Sequence, residues 1–205
     1  MPRASAADAA ATAQRVLETA TAHFSERGYS ATSVDDIATA AGVTRGAVYH
    51  HYASKPGLFS AVAVAQQKSI AAAIVEATIG VEPQAALRVG SHAFLDAITQ
   101  GASARVLLVE GPAVLSWTEW RQHDNDGPAA ELRTGLAEAG VSPGLIDALA
   151  TALSGAMNEL ALWLSERPSD ATAHIHAHAA LDLLLSSVPG AETGKGPEPK
   201  PGTFL

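Results

Sequence analysis

Three hydroxyl residues, each just ahead of an apolar helical segment, constrain the fold of this chain more than any other feature. Ser33, Thr44 and Ser54 follow one another at short intervals. Such residues favour helix starts, because their side-chain oxygens accept a first-turn backbone N–H. Gly42 lies between the first two and can end a helix in the left-handed backbone conformation. The pattern therefore predicts two short helices, joined by a tight turn and followed by a long helix.

The rest of the chain also shows helical spacing. Apolar residues from Ala13 to Phe24 form one stripe that ends at Gly28, and the helix that starts after Ser54 extends to about Gly80. Strand signals are nearly absent, because β-branched residues are scattered and no turn dipeptide separates alternating runs. We predict an all-α protein with further helices near 83–100, 102–110, 113–138, 144–166 and 170–188.

Composition excludes several classes of protein. The chain has 205 residues, of which 47% are hydrophobic, so it can bury a core and global disorder is excluded. It contains no cysteine, which removes disulfides and thiolate metal sites. No continuous apolar run reaches the roughly 18 residues of a membrane span, and the first residues lack the apolar block of a signal peptide. We therefore expect a cytoplasmic protein without membrane contact.

The net charge of −8 is unevenly distributed. Residues 1–60 carry five basic and five acidic side chains, so the whole excess of acid lies in residues 61–205. The segment from Ala41 to Leu58 has no acid and holds Arg45, Lys55 and two histidines. Since phosphate repels an acidic surface, the N-terminal face is the one that suits a nucleic-acid partner.

Residues 14–62 hold a helix and then two short helices around a glycine turn, with a characteristic set of glycines and aromatics. These elements are Gly28-Tyr29, Ile37-Ala38, Ala41-Gly42-Val43, Tyr49 and Tyr52-x-Ser54-Lys55. In them the segment closely resembles the DNA-binding domain of the TetR (tetracycline-repressor-like) family of helix-turn-helix transcriptional regulators. Tyr52 stands where phenylalanine is commoner in that family, a departure that keeps an aromatic side chain for packing. The rest of the chain is similar to the family in length and helix order.

The resemblance implies which residues meet double-stranded operator DNA. Positions that match phosphate contacts of the family are Thr32 or Ser33, Tyr49, His51 and Lys55. Positions that match the base-reading face of the recognition helix are Thr44, Arg45, Gly46 and His50. The chemistry agrees, since an arginine fork suits guanine O6 and N7, and a lysine at a helix N-terminus favours an anion.

The last two predicted helices carry continuous apolar stripes. The first stripe is Leu145, Leu149, Ala152, Leu153, Ala156, Leu160 and Leu164, and the second is Ala177, Leu181, Leu184 and Val188. One interpretation is ordinary core. The resemblance implies another, in which these helices pair with their copies in a homodimer, and the alanines would allow close helix approach. A dimer would also place two recognition helices about 34 Å apart, one turn of DNA.

The resemblance also implies a small-molecule effector among the central helices. Such sites are mostly apolar with few polar anchors. Trp117 and Asn158 are the leading candidates for contact with it. The full set of candidates is His92, Phe94, Glu110, Trp117, Trp120, Arg121, Asn158 and Trp163.

We therefore expect an N-terminal three-helix helix-turn-helix domain joined to a larger helical ligand-binding and dimerisation domain. The corresponding ranges are a flexible start over 1–10, the DNA-binding domain over 11–56, the larger domain over 57–188 and a flexible tail over 189–205. No cofactor and no metal ion are expected. His50 and His51 diverge by about 100° around a helix and cannot chelate together. His174 and His178 share a helix face but lack an interleaved acid, which favours a packing surface.

Two other classes of function stay open at this point. An enzyme would need catalytic groups, but the chain offers no glycine-rich phosphate loop and no clustered acids and histidines. Glu110 and Glu159 are its candidates for paired carboxylates. A ligand-independent architectural protein would use the same N-terminal unit but fill its C-terminal core. The favoured hypothesis is a non-enzymatic repressor that a mostly apolar effector releases from a palindromic operator.

Overall fold

The computed structural model of the protein describes residues 6–188, and all regular elements in that range are helical. The predicted all-α class is thus confirmed. A π-helical segment, Arg105–Glu110, lies between the fifth and sixth α-helices. The α-helices are α1 (Ala6–Ala31), α2 (Val34–Ala40), α3 (Arg45–Tyr52), α4 (Lys55–Thr78), α5 (Pro83–Thr99), α6 (Gly111–Val114), α7 (Trp117–Asn125), α8 (Pro128–Glu138), α9 (Pro143–Ser165) and α10 (Ala171–Leu185).

The three predicted helix starts are confirmed by their hydrogen bonds. Ser33 Oγ accepts the backbone N–H of Asp36 at 3.0 Å, and the Asp36 carboxylate accepts the N–H of Ser33 at 3.4 Å. This reciprocal pair is a capping box. Thr44 and Ser54 cap α3 and α4, each accepting an N–H three residues ahead, at 3.2 and 3.0 Å. Local sequence alone therefore sets where these helices begin.

An aromatic cluster holds α1 against α4. The rings of Phe24 and Phe59 meet edge to face with centroids 5.2 Å apart, and Tyr29 meets Phe59 in the same way. Such ring pairs add about 0.5–1.5 kcal/mol beyond the burial of their surface. Ile37 of α2 and Val48 of α3 are buried in the same core. The two short helices are thus mounted on α1 and α4.

Helix α1 differs from the prediction at its start. It begins at Ala6, so residues 6–10 are helical rather than flexible, because alanine, which dominates there, is the strongest helix former. At the other end Gly28 leaves the helix with φ 80° and ψ 170°, a conformation essentially reserved for glycine. The tail over 189–205, which was expected to be flexible, lies outside the described residues.

The prediction of a single helix over 113–138 is wrong. The backbone at Leu115 is extended (φ −94°, ψ 159°), and Ser116 then caps α7. Gly127 (φ −116°, ψ −126°) separates α7 from α8. The Gly111-Pro112 pair, conversely, does not interrupt the helical backbone. Proline lacks a backbone N–H but is tolerated in the first turn of a helix, where that N–H has no partner in the helix.

The larger helical body is built around α5, which packs extensively against α4 and α8 and also contacts α9 and α10. An ionic cluster joins α5 to α10. Arg88 donates two hydrogen bonds to the carboxylate of Asp182, at 2.7 and 2.8 Å, and His92 Nε2 contacts the same carboxylate at 2.7 Å. The hydrogen bonds from Arg88, with a smaller contribution from His92, lower the pKa of Asp182 to about 2.

Two described helices, α4 and α9, are long and apolar enough to cross a membrane by length and composition alone. Neither is a continuous apolar run, since Gln66, Gln67 and Lys68 interrupt α4 and Asn158 and Glu159 interrupt α9. The core helices of soluble proteins pass the same test, so it is weak evidence for a membrane span. In this fold α4 buries Phe59, Val62 and Ile70 in the protein core.

We expect Gly28→Ala to lower the free energy of unfolding by about 1–3 kcal/mol. Alanine is strained at this φ, and its Cβ would come within 2.5 Å of Glu110 Oε1. Gly42→Ala is the matched control, since Gly42 also has a positive φ (67°) but nothing lies within 4 Å of its Cβ position. Urea denaturation of both variants measures the difference. Equal decreases in the free energy of unfolding would show that the contact with Glu110 does not contribute to the destabilisation by Gly28→Ala.

Candidate DNA interface and ligand cavity

Helix α3 presents an open outer face. Thr44, Arg45, Gly46 and His50 are exposed, whereas Val48 is buried beneath them. A Cβ added to Gly46 would meet only the Thr44 hydroxyl, at 3.8 Å, so the protein interior does not require glycine there. An exposed glycine lets a partner approach the backbone closely. The four residues predicted to meet base edges are thus all accessible on α3.

Two neighbours order the side chain of Arg45. Its Nη1 forms an ion pair with Asp35 Oδ2 at 2.7 Å, and its Nη2 donates a hydrogen bond to the Tyr49 hydroxyl at 3.1 Å. Arg45 and Asp35 are both more than half exposed, and exposed ion pairs contribute about 0–1 kcal/mol. The guanidinium is therefore held near the α3 surface and can exchange Asp35 for a base at small cost.

Lys55 places a positive charge at the start of α4. Its Nζ lies 4.1 Å from the centroid of the Tyr29 ring, a cation–π contact that orients the ammonium group. Burial raises the pKa of Tyr29, so this ring carries no competing charge. His51, at the end of α3, is half-buried and meets the His50 ring edge to face. The ammonium group and the helix N-terminus together suit a phosphate.

The prediction of Thr32 as a phosphate contact is corrected, because its side chain is only 2% exposed and its hydroxyl donates to the Gly28 carbonyl at 2.8 Å. Ser33, the alternative at the same place, is half-buried, and its hydroxyl proton has no acceptor within residues 6–188. Ser33 is therefore the better phosphate candidate. Tyr52 packs against the core and donates to the Ala13 carbonyl at 2.7 Å, which agrees with a packing role.

A cavity of about 200 Å³ lies between α4, α5 and α8, with α7 and α9 at its ends. Its polar lining residues are Thr78, Ser91, Asp124, Glu131, Thr134, Glu138 and Ser154. Ile74, Leu87, Phe94 and Met157 are among its apolar ones. Gly90 and Gly135 let the helices around the cavity approach closely, since a Cβ on Gly90 would come within 3.3 Å of Ile74 and one on Gly135 within 3.4 Å of Leu87. An engineered cavity of about 150 Å³ holds benzene, so this one has room for a molecule with a single ring.

Most of the predicted effector contacts do not line this cavity. Phe94 does. Trp117 is 65% exposed and Trp163 is 36% exposed, and an arginine lies over each ring. Trp120 donates its Nε1–H to the Leu107 carbonyl at 2.7 Å and thereby holds α7 on the π-helical segment. Asn158 is half-buried on α9, away from the cavity wall. Trp117, Trp120 and Trp163 therefore lie outside this cavity, and their contact with an effector stays a prediction.

The polar candidates are engaged elsewhere as well. His92 is bonded to α10, where its Nδ1 lies 2.6 Å from that of His178. Glu110 accepts the backbone N–H of Tyr29 at 3.1 Å. Arg121 lines only a small recess next to the cavity. Within residues 6–188, no group of three or more histidines and acids is placed to hold a metal ion.

Asp124 is the residue that the sequence analysis missed. It lines the cavity, is 8% exposed, and among the described residues makes no hydrogen bond or ion pair through its carboxylate. Burial raises the pKa of Asp124, and the charges of Arg121 and Arg133 reduce that shift without reversing it. In the sequence it stands in a polar stretch and resembles a surface acid. A buried, unpaired acid at a cavity wall is a candidate functional group, because such groups cost stability.

A second region joins the N-terminal helices to the body. Arg105 Nη2 donates hydrogen bonds to the carbonyls of Phe24 and Ser25, at 2.8 and 2.5 Å. These bonds and the one between Tyr29 and Glu110 fasten the end of α1 to the π-helical segment. Because α3 is mounted on α1 and α4, movement of this segment would be transmitted to the exposed face of α3.

Two family profiles match the chain. The profile described as "Bacterial regulatory proteins, tetR family" matches residues 16–62. The profile described as "Tetracyclin repressor-like, C-terminal domain" matches residues 84–188, about half of the chain. The chain belongs to the TetR family. The helix-turn-helix predicted around Gly42 and the larger helical domain that follows it are therefore the two parts of a TetR-family regulator.

Individual relatives agree with this family. The probable acrEF/envCD operon repressor of Escherichia coli K12 is 43% identical over 83 residues, which is 40% of this chain and 37% of that protein. The chain thus matches little more than a third of that relative's length. A TetR-family regulator from Pectobacterium atrosepticum superposes with a TM-score of 0.71 at 28% identity, over 91% of this chain and 98% of that one. The TetR-family regulator PfmR from Thermus thermophilus superposes with a TM-score of 0.61 at 28% identity, over 83% and 97%.

We expect Arg45→Ala to relax base preference at one position of each operator half-site, at a cost of about 1–3 kcal/mol per half-site. The reason is the loss of the exposed guanidinium at the start of α3. Asp35→Ala is the matched control, because it removes the ion pair and keeps the arginine. Binding to a panel of single-base operator variants measures the preference. Retention of wild-type preference in Arg45→Ala would remove this residue from the base-reading set.

We expect Asp124→Asn to raise the melting temperature at pH 7–8. A carboxyl whose pKa is raised by folding binds its proton more tightly in the folded state, so the protein loses stability as pH rises through that pKa. Asparagine cannot ionise and escapes this loss. The difference in melting temperature between Asp124→Asn and the wild type should therefore become smaller as pH falls toward 4. Thermal unfolding from pH 4.5 to 8 tests this, and a variant less stable at every pH would mean that the carboxylate is satisfied.

Proposed function

We propose that this TetR-family protein is a transcriptional repressor that binds a palindromic operator as a homodimer and is released by a small, mostly apolar effector. The course of α4 carries the proposal. It begins at Lys55, beside the exposed face of α3, and its far end contributes Ile74, Val75 and Thr78 to the cavity wall. Its 24 residues span about 36 Å at 1.5 Å per residue. A ligand that displaces the far end would tilt the near end, and α3 with it.

The proposed DNA contacts follow the exposed face of α3 and its surroundings. Thr44, Arg45, Gly46 and His50 would meet base edges, and Ser33, Tyr49, His51 and Lys55 would meet phosphates. The charge distribution supports this orientation, because the acidic residues in excess lie in the body beyond residue 60. That body would be repelled by DNA and would face away from it.

The cavity supports the ligand-responsive alternative over a ligand-independent architectural role, since the latter predicts a filled C-terminal core. We propose the DNA-binding domain over 11–56 and the ligand-binding and dimerisation domain over 57–188, with α4 bridging the boundary. We also propose a cytoplasmic location and no catalytic activity, in keeping with relatives that are bacterial transcription regulators.

The outward faces of α9 and α10 support a homodimer. On α9 the small residues Ala148, Ala152 and Gly155 are exposed in one row, and on α10 Ile175 and Leu183 are 68% and 75% exposed. Small residues let helices approach closely, and exposed large apolar side chains gain from burial. The expected stripes need a correction. Five of their members are buried in the core of the protomer, at 7% exposure or less: Leu153, Leu164, Ala177, Leu181 and Val188.

We expect Leu183→Glu to convert the dimer into folded monomers, because a charge at the centre of an apolar interface would be buried without a partner. Ile79→Glu is the matched control, since Ile79 is equally exposed at 75% but lies at the end of α4. Light scattering after size-exclusion chromatography gives the mass, and circular dichroism confirms the helices. A dimeric Leu183→Glu variant at micromolar concentration would contradict this interface.

Selection of bound sites from random double-stranded DNA tests the proposed function directly. It should return an inverted repeat with half-sites placed for two recognition helices about 34 Å apart. On that operator, Lys55→Ala should reduce the log–log salt slope by about 1 for each phosphate that the lysine no longer neutralises, and equally on nonspecific DNA. Lys68→Ala is the control, since Lys68 is exposed farther along α4. Recovery of no enriched sequence would overturn the function.

A further inference from the structure

Most of the polar side chains that line the cavity offer hydrogen-bond acceptors to a ligand. Thr78 Oγ1 donates its proton to the carbonyl of Ile74 or Val75 at 3.0 Å, and Ser91 Oγ donates to the Leu87 carbonyl at 2.8 Å. Each hydroxyl has a single proton. What these side chains can offer a ligand is therefore their oxygen lone pairs.

The charged groups on the wall are also acceptors. Asp124, Glu131 and Glu138 line the cavity, and no lysine, arginine or histidine is among its described lining residues. Asp124 is the innermost of the three by burial, at 8% exposure, whereas Glu131 is half-buried and Glu138 is exposed. An ionised carboxylate accepts hydrogen bonds and cannot donate them. The described wall thus has no cationic side chain for a carboxylate or phosphate ligand, and among its hydroxyls only that of Ser154 has a proton not donated within the protein.

Arg121 and Arg133, whose charges act on Asp124, make their direct contacts with other groups. Arg133 donates to the Asp147 carboxylate at 3.0 Å, the Asn125 side-chain oxygen at 3.0 Å and the Ala129 carbonyl at 3.2 Å. Arg121 stacks over the Trp117 ring at 5.6 Å. Both arginines line a small recess together with Asp124, but within residues 6–188 neither guanidinium forms an ion pair or hydrogen bond with it. The Asp124 carboxylate is therefore open to a donor on a ligand.

We propose that the effector is a small apolar amine, bound as an ammonium ion against Asp124 with its hydrocarbon part between Phe94, Leu87 and Met157. The inference rests on the proposed function, because it names the ligand class for the cavity assigned there. An ammonium group has three donors and no acceptor, which complements the Asp124 carboxylate and the hydroxyl oxygens of Thr78 and Ser91. The volume of about 200 Å³ admits one ring with a short chain.

Three probes of similar shape and different charge test the proposal: 2-phenylethylamine, 2-phenylethanol and 3-phenylpropanoate. Calorimetric titration of the wild-type protein at pH 7 should show the amine binding at least about tenfold more tightly than the alcohol, since hydrogen bonds to charged groups are the stronger kind. Asp124→Asn should reduce the affinity for the amine to that for the alcohol and leave the affinity for the alcohol unchanged. Glu138→Gln, at the exposed end of the cavity, is the control and should keep the preference for the amine.

Equal or tighter binding of the alcohol or the acid would overturn the amine assignment and leave the cavity as an effector site. Retained preference for the amine in Asp124→Asn would also overturn it. If none of the three probes binds, both the assignment of an amine effector and the assignment of the cavity as the effector site are rejected. One further result separates the two proposals. If the amine binds through Asp124 but leaves the affinity for the operator unchanged, the amine site is supported and the proposed release from DNA by a ligand is contradicted. Release, where it occurs, must be reciprocal, so operator should weaken amine binding by the same factor.

Discussion

The contact between the end of α1 and the π-helical segment is the constraint on which the rest of the structure depends. When Gly28 leaves the helix, the Tyr29 N–H that would have bonded Ser25 is redirected to Glu110. The freed Ser25 carbonyl is then satisfied by Arg105. A π-helix bonds residue i to residue i+5, and this wider turn brings Arg105 and Glu110 to one side of the segment. The N-terminal helices and the body are therefore held together by hydrogen bonds between backbone groups of α1 and side chains of the π-helical segment.

This junction and α4 are two parallel structural connections between the cavity in the body and the exposed face of α3, which are the two proposed sites. The aromatic cluster of Phe24, Tyr29 and Phe59 fills the space between those connections and makes α1 and α4 move together. Lys55 rests on the same Tyr29 ring. A change in the body would thus reach Lys55 and α3 through a packed core, which deforms little.

The cavity lies where α4, α5 and α8 approach closely, and its polar side chains are mostly hydrogen-bond acceptors. Gly90 and Gly135 allow that approach, and the hydroxyls of Thr78 and Ser91 donate to helix carbonyls. An acid buried in such surroundings lowers stability, and a core evolved for stability alone would replace it. Departures of this kind from ordinary core composition are expected where a protein binds something.

The sequence by itself determined the helix-turn-helix. Ser33, Thr44 and Ser54 cap their helices through bonds that span three residues, and Gly42 ends α2, so these features are written in local chemistry. The α-helical class and the accessible positions of Arg45 and Lys55 followed from the same local pattern. Only the tertiary structure decided the break at Leu115 and Ser116, the burial of Thr32, and the cavity with Asp124 on its wall. These depend on which faces of distant helices meet. Periodicity shows that a helix has an apolar face, but it cannot show where two such faces fail to touch and leave a space.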